Sequence, residues 1–309
     1  MLEYTPNKGV IYMEFTRKNL LELRKLTIDE ISEYYKNKRR WEFENNKPLT
    51  NIEFRKKIHK LLYILIQIDR VLTKEKLEVI HDDRIESDNS KIYACTHVGG
   101  NDVQRTFEAI KDHAYLFLGD PRGIYKDVAG AMLFGNGVIP VELNDKTDRK
   151  IAKARSIELL NRGGNLLIYP EGAWNVMPDL PVMKLYDGAV VMAQETGSDI
   201  IPVAIEQFGP QFYASIGKNI TPQEISGIPT KEVKTMVRDA MATEKWRIWD
   251  HYGVQPREKV ANVTVDEYQQ EIVDRCGYGF TVQDVFDTMY HDKTIATPEE
   301  VFAFQKRLK

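Results

Sequence analysis

The sequence predicts an α/β fold in which a largely parallel or mixed sheet is covered by helices on both faces. Short apolar runs, typical of buried strands, alternate with helical patterns between about residues 77 and 206. Helical patterns fill the chain before and after this segment. We therefore expect an N-terminal helical region over 1–76, an α/β core over 77–220, and a C-terminal helical extension over 221–309 that packs on the core.

Helix-start signals define the N-terminal region, where residues 16–72 indicate helices. Thr27 stands three positions before Glu30, and Thr50 stands three positions before Glu53. In such a capping box the hydroxyl and the carboxylate each accept a backbone N–H at the start of a helix. Two helices are therefore expected to begin at these threonines.

The core is expected to alternate strands with helices. Strands are predicted near 77–81, 91–96, 114–118, 138–143, 165–169 and 200–206, and helices near 101–112, 147–162 and 184–196. A further strand at 212–216 is expected at an edge of the sheet.

The C-terminal extension is predicted to be helical and to stabilise the core, with covering of a substrate tunnel or binding of a partner as alternatives. One helix is expected over 230–252, ending at Gly253. Later helix starts are indicated by Thr264 with Glu267, Thr281 with Asp284, and Thr297 with Pro298 and Glu300.

The composition is typical of a soluble globular protein. The 309 residues are 42% hydrophobic and 29% charged, and the net charge of −3 gives no sign of nucleic-acid binding. Cys95 and Cys276 form no CxxC pair, and six scattered histidines lack metal-ligand spacing, so no metal site is expected. The chain shows no signal-peptide pattern and no apolar run near the roughly 20 residues that span a bilayer. A cytoplasmic location is therefore expected.

An imidazole and a carboxylate stand at the mouth of a predicted buried strand. His97 and Asp102 follow the apolar run 92–95 and have four residues between them. A general base must be held in one tautomer, and a carboxylate on its second ring nitrogen can hold it. Gly99 and Gly100 permit a tight turn before a helix that Asn101 or Asp102 could cap and that runs to about Lys111. The pair is therefore a candidate acid/base site.

Two later strand-to-loop segments, 166–172 and 200–205, accompany this pair. In this order and at these separations the three segments resemble the glycerolipid acyltransferase superfamily, whose best-known members are the lysophosphatidic acid acyltransferases. The resemblance spans roughly residues 77 to 220 and implies a glycerol-3-phosphate acyltransferase-like fold. It also implies transfer of a fatty acyl group from acyl-CoA or acyl carrier protein, without a cofactor, to a hydroxyl or amine of a lysolipid-like acceptor.

The resemblance carries roles over to individual residues. In this family the His of the first block is the general base and the Asp orients it, which implies these roles for His97 and Asp102. Thr96 stands where the family has Asn. The third block, usually Phe-Pro-Glu-Gly-Thr-Arg, occupies 169–174 and keeps its Pro, Glu and Gly. Substrate contacts are therefore expected from Tyr169, Pro170, Glu171, Gly172, Trp174 and Lys184.

Two arginines of the family are missing. Leu143 stands at the arginine of the second block, and Trp174 at the arginine of the third. These arginines are the family's usual ligands for the acceptor's phosphate, for which a guanidinium fork is suited. We therefore expect a neutral or zwitterionic acceptor. A true lysophosphatidic acid acyltransferase with relocated phosphate ligands is the alternative, with Lys184, Arg149 or Arg122 as the cation.

Several roles stay open. Trp174 could stack on an acceptor or fill space in the core, and Glu171 could bind the acceptor or brace its loop. The backbone N–H groups of Gly99, Gly100 or Gly172 could donate to the oxyanion that forms during acyl transfer.

Other classes of function fit less well. A hydrolase would need a Gly-x-Ser-x-Gly turn, which the chain lacks. Pro140 stands where a dinucleotide-binding loop would need Gly, and there is no Walker loop. A non-catalytic relative that binds lipid is the remaining alternative, against which the intact His97 and Asp102 argue.

Two N-terminal segments could contact a membrane as a peripheral site. The apolar helix around 58–68 is one, although core packing is favoured for it. The other is a basic and aromatic surface formed by Lys36, Lys38, Arg39 and Arg40 beside Trp41 and Phe43.

Overall fold

The computed structural model describes residues 15–49, 51–125, 128–177, 180–253, 264–276 and 279–290. Its helices are α1 (Leu20–Leu23), α2 (Ile28–Glu44), α3 (Ile52–Leu72), α4 (Asp102–Ile110), α5 (Val128–Asn136), α6 (Lys146–Asn161), α7 (Gly188–Thr196), α8 (Pro222–Ile225), α9 (Thr230–Tyr252), α10 (Val265–Cys276) and α11 (Val282–Thr288), with a 3₁₀ turn at Pro121–Tyr125. Its strands are β1 (Lys76–Asp82), β2 (Lys91–Cys95), β3 (Tyr115–Gly119), β4 (Val138–Val141), β5 (Leu166–Ile168), β6 (Asp199–Phe208) and β7 (Gln211–Ile216).

The strands form one sheet in the order β1-β7-β6-β2-β5-β3-β4. The five strands from β6 to β4 are parallel, whereas β7 is antiparallel to β6 and β1 is parallel to β7. Helices cover both faces. The predicted α/β fold with a largely parallel sheet is confirmed.

The edge position predicted for residues 212–216 is wrong. These residues form most of β7, which lies between β6 and β1 in the sheet. The tight turn after Phe208 reverses the chain, and β1 then pairs with the free side of β7. Phe212, Ala214 and Ile216 are fully buried, which an edge strand would not require. The largely exposed β1 forms that edge instead.

Alternate residues of β2 point into two apolar clusters, one on each face of the sheet. Ile92 and Ala94 pack with α6, α7 and α9 on one face. Tyr93 and Cys95 pack with α3 and α4 on the other. Because β2 is covered on both faces, its carboxyl end is held rigidly, and the loop that follows it starts from a fixed position.

Two helix boundaries differ from the predictions. Asn51 caps α3, accepting from the N–H of Phe54 at 3.2 Å, where the sequence suggested a box led by Thr50, which lies outside the described residues. The helix predicted from residue 184 begins only at Gly188, because nearby N–H groups bond elsewhere: Met183 donates to Glu171 and Tyr186 donates to Pro170.

The 3₁₀ turn and α5 were not predicted, since the glycines and apolar residues of 128–136 obscure a helical period. The boxes at Thr27 and Thr281 are confirmed, and Thr264 exchanges the equivalent hydrogen bonds with Glu267. The start predicted at Thr297 lies outside the described residues.

The basic surface predicted on α2 is partly buried against α6. Arg39 pairs with the buried Asp148 at 2.8 Å, and Arg40 pairs with Asp145. These two guanidinium groups therefore anchor α2 to the core and are not available to lipid headgroups. The remaining cations, Lys36 and Lys38, form ion pairs along α2 itself.

A fully buried guanidinium fixes α4, the helix that begins with Asp102. Arg105 is 0% exposed and pairs with Asp69 at 2.6 Å, Glu75 at 2.9 Å and Glu108 at 3.0 Å. It also donates to the carbonyl of Ile66. One cation therefore connects α4 to α3 and to the segment that leads into β1.

Replacing Arg105 with Leu should lower the free energy of unfolding by about 3–5 kcal/mol, because it leaves carboxylates near the interior without their cation. Urea denaturation measures the change. Arg238→Leu is the matched control, since Arg238 is exposed and, among the described residues, pairs only with its neighbour Asp239; it should change stability by less than about 0.5 kcal/mol. Equal, small effects of the two substitutions would contradict a supporting role for Arg105.

Candidate active site

The candidate site lies at the carboxyl ends of two neighbouring parallel strands. β2 ends at Cys95 and β5 ends at Ile168, and the two strands pair directly. Their following loops therefore meet at one edge of the sheet, where ligands of open α/β sheets usually bind. The structure brings His97 from the first loop together with 169–174 from the second.

The Nδ1 atom of His97 and Oδ2 of Asp102 lie 2.6 Å apart. The same carboxylate oxygen accepts the N–H groups of Val98 and Gly99, each at 2.8 Å. Asp102 is 1% exposed. The carboxylate selects the tautomer with the proton on Nδ1, which leaves Nε2 with its lone pair, the form that a general base needs.

Aromatic rings fix the plane of the imidazole. Tyr169 stacks on His97 with centroids 4.1 Å apart and planes 24° apart, and its hydroxyl donates to Thr106. Trp174 meets the imidazole edge-on at 6.0 Å. On its other side Trp174 packs edge-on against Phe280, beside the C-terminal helices. His97 is therefore held by its ring neighbours as well as by Asp102.

Glu171 holds the backbone of His97 in place through a hydrogen bond. Its carboxylate is fully buried, and its two oxygens accept the N–H of His97 at 3.3 Å and the N–H of Met183 at 2.8 Å. Asn175 N donates to the carbonyl of His97 at 2.7 Å. Burial raises the pKa of Glu171 to about 7, against the lowering effect of these N–H groups and of Lys245.

Gly172 is required by the local geometry. Its φ of +75° is a left-handed conformation, and a Cβ at this position would lie 2.3 Å from the ring of Tyr186. Tyr186 in turn donates to the carbonyl of Pro170 through its backbone and to that of Thr288 through its hydroxyl. The loop after β5 is thus packed tightly against the segment that leads into α7.

Lys184 is exposed on this segment, and within the described ranges it forms no hydrogen bond or ion pair with the other site residues. Leu143, at the family's arginine position, packs beside Gly119. Arg149 donates to the carbonyl of Leu143, and Arg122 pairs with Asp120 at 2.6 Å. Arg149 therefore brings a guanidinium to the backbone of the position that lacks one.

Two of the proposed oxyanion donors are already engaged. The N–H of Gly99 donates to Asp102, and that of Gly172 donates to the carbonyl of Tyr169. The role of Thr96 was also missed: its hydroxyl donates to the carbonyl of Ile205 and accepts the N–H of the same residue. Thr96 therefore joins the end of β2 to β6. In the sequence, the signal for this connection was a polar residue at the end of the apolar run 92–95, directly before the histidine.

Comparisons with known proteins bear on the fold and on the segment that carries it. The Acyltransferase family model matches residues 76–206. Among solved structures, the chain is similar to the 1-acyl-sn-glycerophosphate (LPA) acyltransferase PlsC from Thermotoga maritima, with 16% identity and a TM-score of 0.52. The alignment covers 74% of this chain and 95% of that one. No curated protein matches the sequence.

The fold and the segment 76–206, which matches the family model, together define an α/β domain of the acyltransferase type. Residues 76–206 match the Acyltransferase family model, and the likeness to PlsC shows the same fold. The predicted resemblance is therefore confirmed, and acyl transfer in general is the activity that this family supports. Among the described residues, no group of three His, Cys, Asp or Glu side chains is placed to hold a metal ion.

The buried Glu171 predicts a pH-dependent stability. Its pKa rises from 4.5 to about 7 on folding, so its favourable contribution is complete below about pH 4.5 and is lost as the pH rises through about 7. The loss should be about 3 kcal/mol. In urea denaturation between pH 5 and pH 8, Glu171→Gln should gain stability relative to the wild type by most of this amount. Glu232→Gln, at an exposed glutamate of α9, should show no such trend, and parallel pH profiles for Glu171→Gln and the wild type would refute the assignment.

Proposed function

We propose that the protein moves a fatty acyl group from an acyl thioester, acyl-CoA or acyl carrier protein, to a hydroxyl or amine of a lysolipid-like acceptor. His97 is the general base and Asp102 orients it. The observation that carries this proposal is the 2.6 Å contact between Nδ1 of His97 and a buried carboxylate. That contact directs the second ring nitrogen, Nε2, away from the carboxylate and toward an incoming acceptor.

The reaction needs no covalent enzyme intermediate. Nε2 of His97 takes the proton from the acceptor's O–H or N–H as that atom bonds to the thioester carbonyl carbon. The negative charge moves to the carbonyl oxygen and then returns, which breaks the C–S bond. The imidazolium gives its proton to the departing thiolate. Asp102 stabilises the imidazolium between these two steps, and His97 ends in its starting form.

The loss of arginine at positions 143 and 174 supports an acceptor other than a simple glycerol phosphate. Leu143 and Trp174 carry no charge, and Trp174 is packed between His97 and Phe280. Tyr169, Pro170, Glu171 and Gly172 shape the floor of the site, and their contact with substrate stays a prediction, as does that of Lys184.

A true lysophosphatidic acid acyltransferase is the second candidate. The exposed Arg149 favours it, because its guanidinium reaches the backbone of Leu143 where the family's arginine would begin. Burial raises the pKa of Tyr186, and the nearby charge of Arg149 partly opposes this rise. Arg149→Met would then weaken the use of lysophosphatidic acid and spare that of neutral acceptors.

The test of acyl transfer is thiol release from long-chain acyl-CoA and acyl-carrier protein, measured with lysophosphatidic acid, other lysolipids, and neutral hydroxyl or amine acceptors. His97→Ala should lower kcat by at least about a hundredfold, as should Asp102→Asn, which can keep the three N–H contacts but loses the charge. The double variant should lose no more than His97→Ala alone, because the two residues act as a unit.

His251→Ala is the matched control, since His251 is a surface histidine of α9 and should leave turnover unchanged. Full activity of Asp102→Asn would refute its orienting role. Folded wild-type protein that releases no thiol with any donor and acceptor would instead favour a non-catalytic relative that binds lipid.

We further propose that α3 rests on the membrane surface that supplies the lipid. One face of α3 packs on the sheet through Leu62 and Ile66. Another face leaves large apolar side chains exposed, which are Phe54, Leu61, Ile64, Leu65, Ile68 and Leu72. These residues share one stripe of the helix, as an interfacial helix requires.

Lysines complete this surface. Lys57 and Lys60 are exposed beside the apolar stripe, where they would face the headgroups of anionic lipid. No described helix is long and apolar enough to cross a bilayer. The surface therefore supports peripheral binding through α3 in place of the basic surface predicted on α2. The predicted cytoplasmic location stays a prediction.

Placing Glu at Leu61 and Ile68 together should lower binding to phosphatidylglycerol vesicles by at least about tenfold, since each change removes apolar burial and adds a repelled charge. Vesicle co-sedimentation measures this binding. The control carries Glu at Met236 and Val265, exposed apolar residues of α9 and α10. If both double variants bind vesicles like the wild type, α3 is not the membrane surface.

A further inference from the structure

A cavity of about 530 Å³ lies beside the loop between β2 and α4, which carries His97. Val98, next to His97, and Asn175, which binds the carbonyl of His97, both line it. Its volume is in the range of small-molecule sites. The cavity therefore ends within one residue of the proposed base.

The helices of the C-terminal extension form much of its wall. α9 contributes Lys245, Trp249 and Tyr252, and α10 contributes four further residues. All of these lie outside the segment that matches the acyltransferase family. α10 also contacts the loop between β2 and α4 closely, because a Cβ at Gly100 would lie 3.8 Å from Cβ of Arg275. Much of the cavity wall is therefore formed by residues beyond the matched segment.

The charges on the wall are paired. The Lys245 ammonium, 2% exposed, pairs with Glu206 at 2.8 Å and donates to the carbonyl of Ile205. Arg275 pairs with Glu271 at 2.6 Å. Two cations thus face two carboxylates. A phosphate in this cavity would meet no unpaired cation among the charged residues that line it, so an uncharged group is the better fit.

The uncharged part of the wall combines aromatic rings with hydrogen-bonding groups. Phe208 and Tyr252 stack at 3.8 Å, and Trp249 donates to Glu206. The Oε1 atom of Gln207 is buried and has no hydrogen-bond partner among the described residues. A buried acceptor without a donor costs free energy, which a ligand hydroxyl could recover. The same polar groups make this cavity a poor tunnel for an alkyl chain.

We propose that this cavity binds the headgroup of the acyl acceptor, and that the headgroup is an uncharged polyol such as a glycosyl or glyceryl group. The proposal rests on the proposed function of the site. Aromatic side chains cover the apolar faces of such a group, Gln207 accepts from one hydroxyl, and the charged pairs bind others. A neighbouring hydroxyl then reaches His97.

The test uses the full chain, long-chain acyl-CoA and three acceptors: an alkyl glucoside, a monoacylglycerol and lysophosphatidic acid. Gln207→Met removes the acceptor oxygen and keeps the length of the side chain. It should raise KM for the two neutral acceptors about five- to tenfold, the effect of one lost hydrogen bond, with kcat within about twofold. Gln270→Met, at an exposed glutamine of α10 that does not line the cavity, is the matched control and should match the wild type.

A second readout does not depend on turnover. Titration with alkyl glucoside should change the fluorescence of Trp249, the change should be absent in Trp249→Phe, and it should need a higher concentration in Gln207→Met. If the wild type transfers no acyl group to any acceptor, the proposed function fails. The titration then tests the cavity proposal independently: binding of alkyl glucoside supports the proposal, and absence of binding overturns it. Transfer to lysophosphatidic acid only, unchanged in Gln207→Met and lost in Arg149→Met, overturns the cavity proposal while acyl transfer stands.

Discussion

The carboxylate of Asp102 is the group around which the candidate site is arranged. It is almost completely buried, so its charge must be compensated by hydrogen bonds. The compensation comes from the imidazole of His97 and from the N–H groups of Val98 and Gly99, all on one oxygen. This requirement folds the loop back on the start of α4, and Gly99 and Gly100 permit it by adopting positive φ.

A second buried carboxylate completes the arrangement from the opposite side. Glu171 receives the N–H of His97 itself, so the backbone and the ring of one residue are held by two different acids. The first acid acts on the charge and tautomer of the imidazole. The second fixes the position of its backbone relative to the loop after β5. A site of this kind depends on the relative positions of β2 and β5, which the packed sheet fixes.

Local signals in the sequence predicted much of this architecture. The order of strands along the chain, the His97–Asp102 spacing and two threonine capping boxes depend on neighbouring residues, and the structure contains each of them. What failed depends on partners distant in sequence. The place of β7 inside the sheet depends on β1, and the delayed start of α7 depends on Glu171, twelve positions before Met183. The helices α9 and α10 were predicted from local signals, but their position beside the site depends on residues distant in sequence.

The guanidinium of Arg105 also limits how this chain can change in evolution. Its partners Asp69 and Glu75 belong to α3 and to the segment before β1, while Arg105 and Glu108 belong to α4. A recombination that replaced the N-terminal helices by those of a relative would have to preserve both acids or leave a cation buried without them. Through this one cation, the stability of the N-terminal helices and that of the α/β core depend on each other.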